Sequence, residues 1–164
     1  MTDLSNEVFS FQQRLRSDSL DLVEVESHED LFCRFDVLRP GVGRLTYVRL
    51  ANDEKTVRAF LSCTMNGGIN GIPCIAVEYA VPERIRNQGL AIGILRDAIS
   101  DQIVRAGRAG RAALYIEATV DSANEPAQRV AQAVLNVERE SMLDETSGRL
   151  SYRYTAFFET GSRR

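Results

Sequence analysis

Tryptophan is absent, histidine and lysine each occur once, and proline occurs four times in 164 residues, and each scarcity removes a class of explanation. With His28 as the only imidazole, a His-rich metal site is excluded. A Ser-His-Asp or Cys-His unit would have to be built on Glu26-Ser27-His28-Glu29-Asp30, where no G-x-S-x-G nucleophile turn accompanies it. The local pattern instead reads His28 as an exposed residue in the first turn of a helix. Cys33, Cys63 and Cys74 are odd in number and widely spaced, with no C-x-x-C pair, so neither a disulfide framework nor a zinc site is indicated and a reduced, cytoplasmic setting is expected. No uncharged apolar run approaches the ~18 residues of a membrane span, and Met1 to Glu7 lack the charged and apolar regions of a secretory leader. A soluble protein with no membrane partner is expected.

What is present fits one ordinary globular domain over residues 1–164, with 44% hydrophobic and 26% charged residues. Twenty basic side chains against twenty-three acidic ones give a net charge of −3, which argues against a surface built for nucleic acid. All the basic residues but Lys55 are arginine, a bias that genome composition explains as readily as anion binding does.

Residues 19–26 alternate apolar and polar side chains and predict a first strand. Ser27 then precedes Leu31, Phe32, Phe35 and Leu38 at helical spacing, with Pro40 beyond, which predicts a short helix. Leu45 to Leu50 and Thr56 to Thr64 read as a hairpin around Asn52-Asp53-Glu54. Asn66 to Gly71 reads as a breaker, and Pro73 to Val81 as the next strand. Leu90 to Ala106 carries Ile92, Leu95, Ile99 and Ile103 along one stripe, with Asp97, Asp101 and Arg105 outside it, and is the clearest helix. Ala112 to Ala118 predicts a buried strand, and Asn124-Glu125-Pro126 opens a second helix with proline in its first turn. Residues 136–148 carry no clear pattern, Leu150 to Phe158 is a late strand, and Gly161 to Arg164 reads as a frayed tail. The antiparallel start and the later strand-helix-strand unit are expected to share one mixed sheet.

Chemistry concentrates in Val81-Pro82-Glu83-Arg84-Ile85-Arg86-Asn87-Gln88-Gly89-Leu90-Ala91, which joins a strand to the long helix. A turn ending at a helix N-terminus exposes unpaired N–H groups and the positive end of the helix dipole. Gly89 lets backbone approach a ligand, and Arg84 and Arg86 add charge, an arrangement suited to a pyrophosphate. It is neither a Walker loop nor G-x-G-x-x-G.

Arg86-x-x-Gly89-x-Ala91 resembles the acyl-CoA binding motif of the GNAT superfamily of N-acetyltransferases, and Ala80-Val81-Pro82 is similar to the end of that family's fourth strand. Asn124-Glu125-Pro126-Ala127-Gln128-Arg129-Val130-Ala131 resembles the Asn-x-Pro-Ser-x-x-Val-Ala pattern of the branch containing ribosomal-protein N-terminal acetyltransferases. The resemblance implies an α/β, three-layer fold with a mixed, mostly antiparallel sheet that splays between the fourth and fifth strands, residues 74–81 and 112–118. It implies acetyl-CoA as cosubstrate, with its pantetheine arm against Ala80 and Val81. Its pyrophosphate would lie on the backbone of Arg86, Asn87, Gln88, Gly89, Leu90 and Ala91, with Asn124 approaching from the other side. An amine, from a small molecule or a peptide N-terminus, would attack the thioester directly.

The base for that attack suits a carboxylate in a partly desolvated cleft, and Glu78 is the first candidate and Glu117 the second. The proton donor is where the sequence departs from the family: the helical positions that carry Tyr or Ser in relatives correspond to Ala131 and Ala127. Tyr154, Tyr79, Tyr115 or Tyr152 would have to substitute, with Tyr154 taken as the candidate. The Gly-Phe that follows that helix in relatives is replaced by Leu135-Asn136. A GNAT-fold protein that binds acyl-CoA without turnover is the alternative. A homodimer through the late strands or the irregular 136–148 segment is compatible with the sequence, though no pattern points to it.

Overall fold

Antiparallel pairing between chain neighbours builds most of the sheet in the computed structural model, which describes residues 1 and 4–161. Strands β1 (Val23–Glu24), β2 (Leu31–Arg39), β3 (Val42–Leu50), β4 (Val57–Ile69) and β5 (Ile72–Ala80) run antiparallel in chain order. Next, β6 (Ala113–Asp121) lies parallel to β5, followed by β8 (Leu150–Glu159) and the edge strand β7 (Glu140–Leu143), for the order β1-β2-β3-β4-β5-β6-β8-β7. Three helices, α1 (Ser5–Arg16), α2 (Leu90–Arg108) and α3 (Glu125–Leu135), flank it.

Two expectations fail at the start of the sheet. The strand expected over 19–26 shrinks to Val23–Glu24, and the helix expected from Leu31 is β2. Leu31, Phe32, Phe35 and Leu38 fit helical spacing, but Leu31, Cys33, Phe35 and Val37 also alternate. Pairing with β3 from Leu31↔Arg49 to Arg39↔Val42 decides for the strand. Pro40 therefore does not end a helix; it enters the turn closed by Gly41 at φ +79°. The extra strand makes the parallel joint β5–β6 rather than the fourth and fifth strands of the sequence count. Further along, β4 runs through the expected breaker at Asn66-Gly67-Gly68 by a register shift between Met65 and Gly68, and the turn falls at Asn70-Gly71, both with positive φ. The unpatterned 136–148 segment contains β7, and residues 162–164 of the expected tail lie outside the described residues.

The sheet buries both faces unequally. On one, α2 and α3 cover a core that includes Tyr47, Leu61, Val77, Leu114 and Tyr154. On the other, α1 covers only one end, packing Val8, Phe11 and Leu15 on Val48, Val57 and Phe60. Beyond α1 that face carries Thr46, Ser62 and Glu78 one after another across β3, β4 and β5, and Tyr115 against Phe157 across β6 and β8. Each fully buried aliphatic side chain such as Leu61 or Ile94 contributes about 1.5–3 kcal/mol.

A buried polar brace ties α2 to the sheet. The Tyr47 hydroxyl donates to Asp101, Gln102 Nε2 donates to the Tyr47 oxygen at 2.9 Å, and Arg105 Nε donates to Asp101 at 2.6 Å. Asp101 is only 7% exposed because these partners replace water, which is why a polar position read as lying outside the helix stripe faces the core. His28 is half-buried in the turn before β2, not in a helix, with Nε2 3.4 Å from Asp97, which also accepts from Arg49 at 2.6 Å. The three cysteines are buried and unpaired. Lys55 is ion-paired with Asp18. Among the described residues no helix is long and apolar enough to cross a membrane, and no group of three or more His, Cys, Asp or Glu residues could hold a metal.

Candidate active site

Strand β5 pairs with β4 from Ile72 to Ala80, but with β6 only from Cys74↔Tyr115 to Val77↔Ala118. Beyond Val77 and Ala118 the facing edges of Glu78–Ala80 and Thr119–Asp121 are no longer joined, so the sheet opens where the family resemblance implied a splay. The opening leads into a cavity of about 930 Å³.

Of the residues expected to hold a cofactor, Ala80 and Val81 line this cavity from the end of β5, and Arg86, Asn87 and Gly89 line it from the following loop. Leu90 and Ala91 do so from the first turn of α2, and Asn124 from the start of α3. Gln88 sits in the same loop without lining the cavity. The loop is built locally. Glu83–Ile85 form one turn of 3-10 helix, Arg86 Nε donates back to the Val81 carbonyl at 3.0 Å, and Asn87 and Gly89 take left-handed φ values of +64° and +73°. Gly89 is the N-cap of α2 and offers no side chain, and the first turn of α2 holds no acidic residue, so its N–H groups are uncapped at the cavity. A Cβ on Gly89 would meet nothing within 4 Å; the backbone conformation is what requires glycine. Asn124 caps α3, accepting from the Ala127 N–H at 3.2 Å through Oδ1, which leaves its NH₂ group for a ligand.

The catalytic candidates separate by face. Because cross-strand partners share a face, Glu78 and Glu117 both lie on the polar side of the sheet, Glu78 opposite Ser62 and Glu117 opposite Ala76 and Thr155. Glu78 is exposed beside the opening. Glu117 is half-buried and faces Asn66 Nδ2 at 3.4 Å and the Cys74 thiol at 3.7 Å, and burial together with this carboxylate pushes the thiol up to about 11. Tyr154 lies on the opposite face, 1% exposed and opposite Ala118, so the sheet separates it from both carboxylates. Tyr79 is the tyrosine that lines the cavity. Its hydroxyl donates to the Ala127 carbonyl at 2.6 Å, and burial raises its pKa, so it holds its proton.

Asp121 escaped the sequence reading. It ends β6, lines the cavity at 8% exposure and accepts from the Ala123 N–H at 2.8 Å, and Arg149 stands 3.5 Å from it. The Asp-x-x-Asn-x-Pro run marks a turn, but only the extension of β6 to Asp121 places this carboxylate in the cavity.

No protein-family model and no curated protein matches the sequence. Solved structures do match. An acetyltransferase of the GNAT family from Streptococcus pneumoniae aligns with TM-score 0.51 and 16% identity, over 70% of this chain and 66% of that one. The ribosomal-protein-S5-alanine acetyltransferase from Vibrio fischeri aligns with TM-score 0.55 and 13% identity, over 74% and 64%. Mycobacterium smegmatis RimJ, in complex with CoA-disulfide, aligns with TM-score 0.54 and 17% identity, over 70% and 53%. This chain thus spans less than two thirds of the length of each. At these identities the likeness is one of architecture, and the architecture is the GNAT acetyltransferase fold.

Proposed function

We propose that the chain is an N-acetyltransferase that moves the acetyl group of acetyl-CoA directly to a primary amine. The observation that carries this reading is the cavity at the β5–β6 opening. It joins a freed strand edge, which suits an extended amide-bearing arm, to an uncapped helix N-terminus with Arg86 and Arg129 in the same lining, which suits a diphosphate. In this reading the backbone from Arg86 to Ala91, Gln88 included, holds the pyrophosphate. Ala80 and Val81 present main-chain groups to the pantetheine arm, and Asn124 closes the other side.

Acetyl-CoA supplies the activated acyl group. The amine nitrogen attacks the thioester carbonyl carbon, the C–N bond forms, the C–S bond breaks with its electron pair going to sulfur, and the amine's proton passes to a base. Glu78 has the position for that base, since it lies on the polar face one residue past the last β5–β6 pair. Glu117 lies deeper along the closed seam and is already engaged by Asn66 and Cys74. A thiol of ordinary pKa about 8–9 leaves as thiolate near neutral pH without a strong acid, so Ala127 and Ala131 do not by themselves forbid turnover. Those same alanines support a second reading, a GNAT-fold protein that binds acyl-CoA without turnover.

Titration calorimetry with acetyl-CoA and CoA tests both readings. Micromolar binding by the wild type is expected. It should be lost in Gly89→Pro, because proline cannot adopt φ +73°. No binding to the folded wild type would end both readings, whereas binding without thiol release over a broad set of amines would favour the second.

A further inference from the structure

On the part of the sheet face that α1 leaves open, beside the β5–β6 seam, Glu117 is a half-buried carboxylate with no ion-pair partner among the described residues. Its contacts are neutral, Asn66 Nδ2 at 3.4 Å and the Cys74 thiol at 3.7 Å. The arginines of that face are engaged elsewhere: Arg153 donates to Glu140 at 2.6 Å, and Arg44 and Arg34 serve Asp36 at 2.6 Å and 3.6 Å. Ala76, opposite Glu117 on β5, projects only a methyl group. One row further from the opening the same face carries Tyr115, edge-on to Phe157 with ring centroids 5.4 Å apart, and Phe157 is 49% exposed.

Within the acyl-transfer reading, on which this inference rests, we propose that Glu117 and the Tyr115–Phe157 pair select the acceptor, and that the acceptor is an alkyl amine carrying a second, distal ammonium group. The argument is charge complementarity at a fixed spacing. Glu78 lies at the opening, where the attacking nitrogen gives up its proton in that reading. Glu117 is its diagonal neighbour, one strand over and two residues back, since it faces Ala76. Strand spacing and rise put the two Cα atoms about 8 Å apart. An extended chain of about five methylenes joins two nitrogens over that distance. A monoamine brings nothing to Glu117, whose charge then stays half-buried among neutral neighbours. A distal ammonium there meets the carboxylate on one side and the aromatic rings on the other. The same carboxylate repels an acceptor whose far end is an anion.

The test uses the full chain and three amines of one chain length: 1,5-diaminopentane, 5-aminopentan-1-ol, whose far end is neutral, and pentylamine. Thiol release from acetyl-CoA should give 1,5-diaminopentane a kcat/KM about tenfold or more above either of the others, mostly through KM, because Glu117 holds a group that does not react. In Glu117→Gln that ratio should fall to about one. Equal rates in the wild type, or a ratio that survives Glu117→Gln, overturn the proposal. So does a variant that loses all three rates in proportion, which would make Glu117 a structural or proton-accepting residue. The wild type alone gives an independent readout, in which the Tyr115 and Glu117 amide resonances are followed as each amine is added without cofactor. Saturable shifts at about tenfold lower concentration of 1,5-diaminopentane than of pentylamine are expected. No shift overturns the subsite even if acetyl-CoA is bound and turned over. Shifts in a chain that fails to bind acetyl-CoA by calorimetry would instead end the transferase reading and leave the diammonium site standing.

Discussion

Along one edge β5 is paired with β4 from Ile72 to Ala80; along the other it meets β6 for four residues and then parts from it. The same side chains serve both edges, so strand propensity does not separate them. What differs is the partner's path. Strand β4 returns through a two-residue turn at Asn70-Gly71 and has no freedom to leave. Strand β6 arrives after the whole of α2, and its register is set as much by β8, which it matches from Ala113 to Asp121. The closed edge is sealed by local geometry. The open edge carries main-chain groups that cost about 1–3 kcal/mol each if buried without a partner, so it persists only where another group completes it.

If the open edge serves chemistry and the closed edge serves stability, substitutions on the two should have separable effects. The largest is expected for Glu78→Gln, which should lower kcat by about a hundredfold or more while leaving the free energy of unfolding in urea unchanged to within about 0.5 kcal/mol. Lost stability with kcat intact would instead assign Glu78 to the closed part of the sheet. Next, Leu61→Ala, under α2 and fully buried on β4, should cost about 3 kcal/mol in urea unfolding with acetyl-CoA affinity changed by less than about twofold. A large loss of affinity there would show that the two edges are coupled.

The smallest effect lies furthest from the opening, at Asp36 on β2. Arg44 donates to it through Nε at 2.9 Å and Nη2 at 2.6 Å and holds its carboxyl below the ordinary carboxylate range. A depressed folded-state pKa contributes stability above the unfolded value of about 4, and that contribution is lost as pH falls through the folded value. Asp36→Asn should therefore cost less than about 1 kcal/mol at pH 7, and the gap to wild type should close as unfolding is repeated from pH 5 downward. A gap that persists at low pH would mean that the side chain acts by packing rather than charge.

Legibility followed the range of the interactions. The loop from Val81 to Ala91 could be read because glycine, arginine and the start of an amphipathic helix are local signals, and the structure sets eight of the nine residues expected to hold a cofactor around one cavity. Asn124 was legible as a cap for the same reason. Strand β2 was misread because Leu31, Phe32, Phe35 and Leu38 satisfy a helical period as well as a strand's, and pairing with β3 settles the matter. The catalytic candidates were read only as residue types on strands. Which face each one takes depends on register across β5, β6 and β8, and that register sets Tyr154 apart from Glu78 and Glu117. Met1 and Asp121 meet 120 residues apart, through contacts that no window of sequence contains.

The lone lysine has a consequence for self-reactivity. Thioesters acylate exposed ε-amines without any catalyst, and guanidinium groups, which stay protonated, do not compete for them. A surface whose basic side chains are arginines, with Lys55 paired to Asp18, offers almost no lysine of its own to stray acylation.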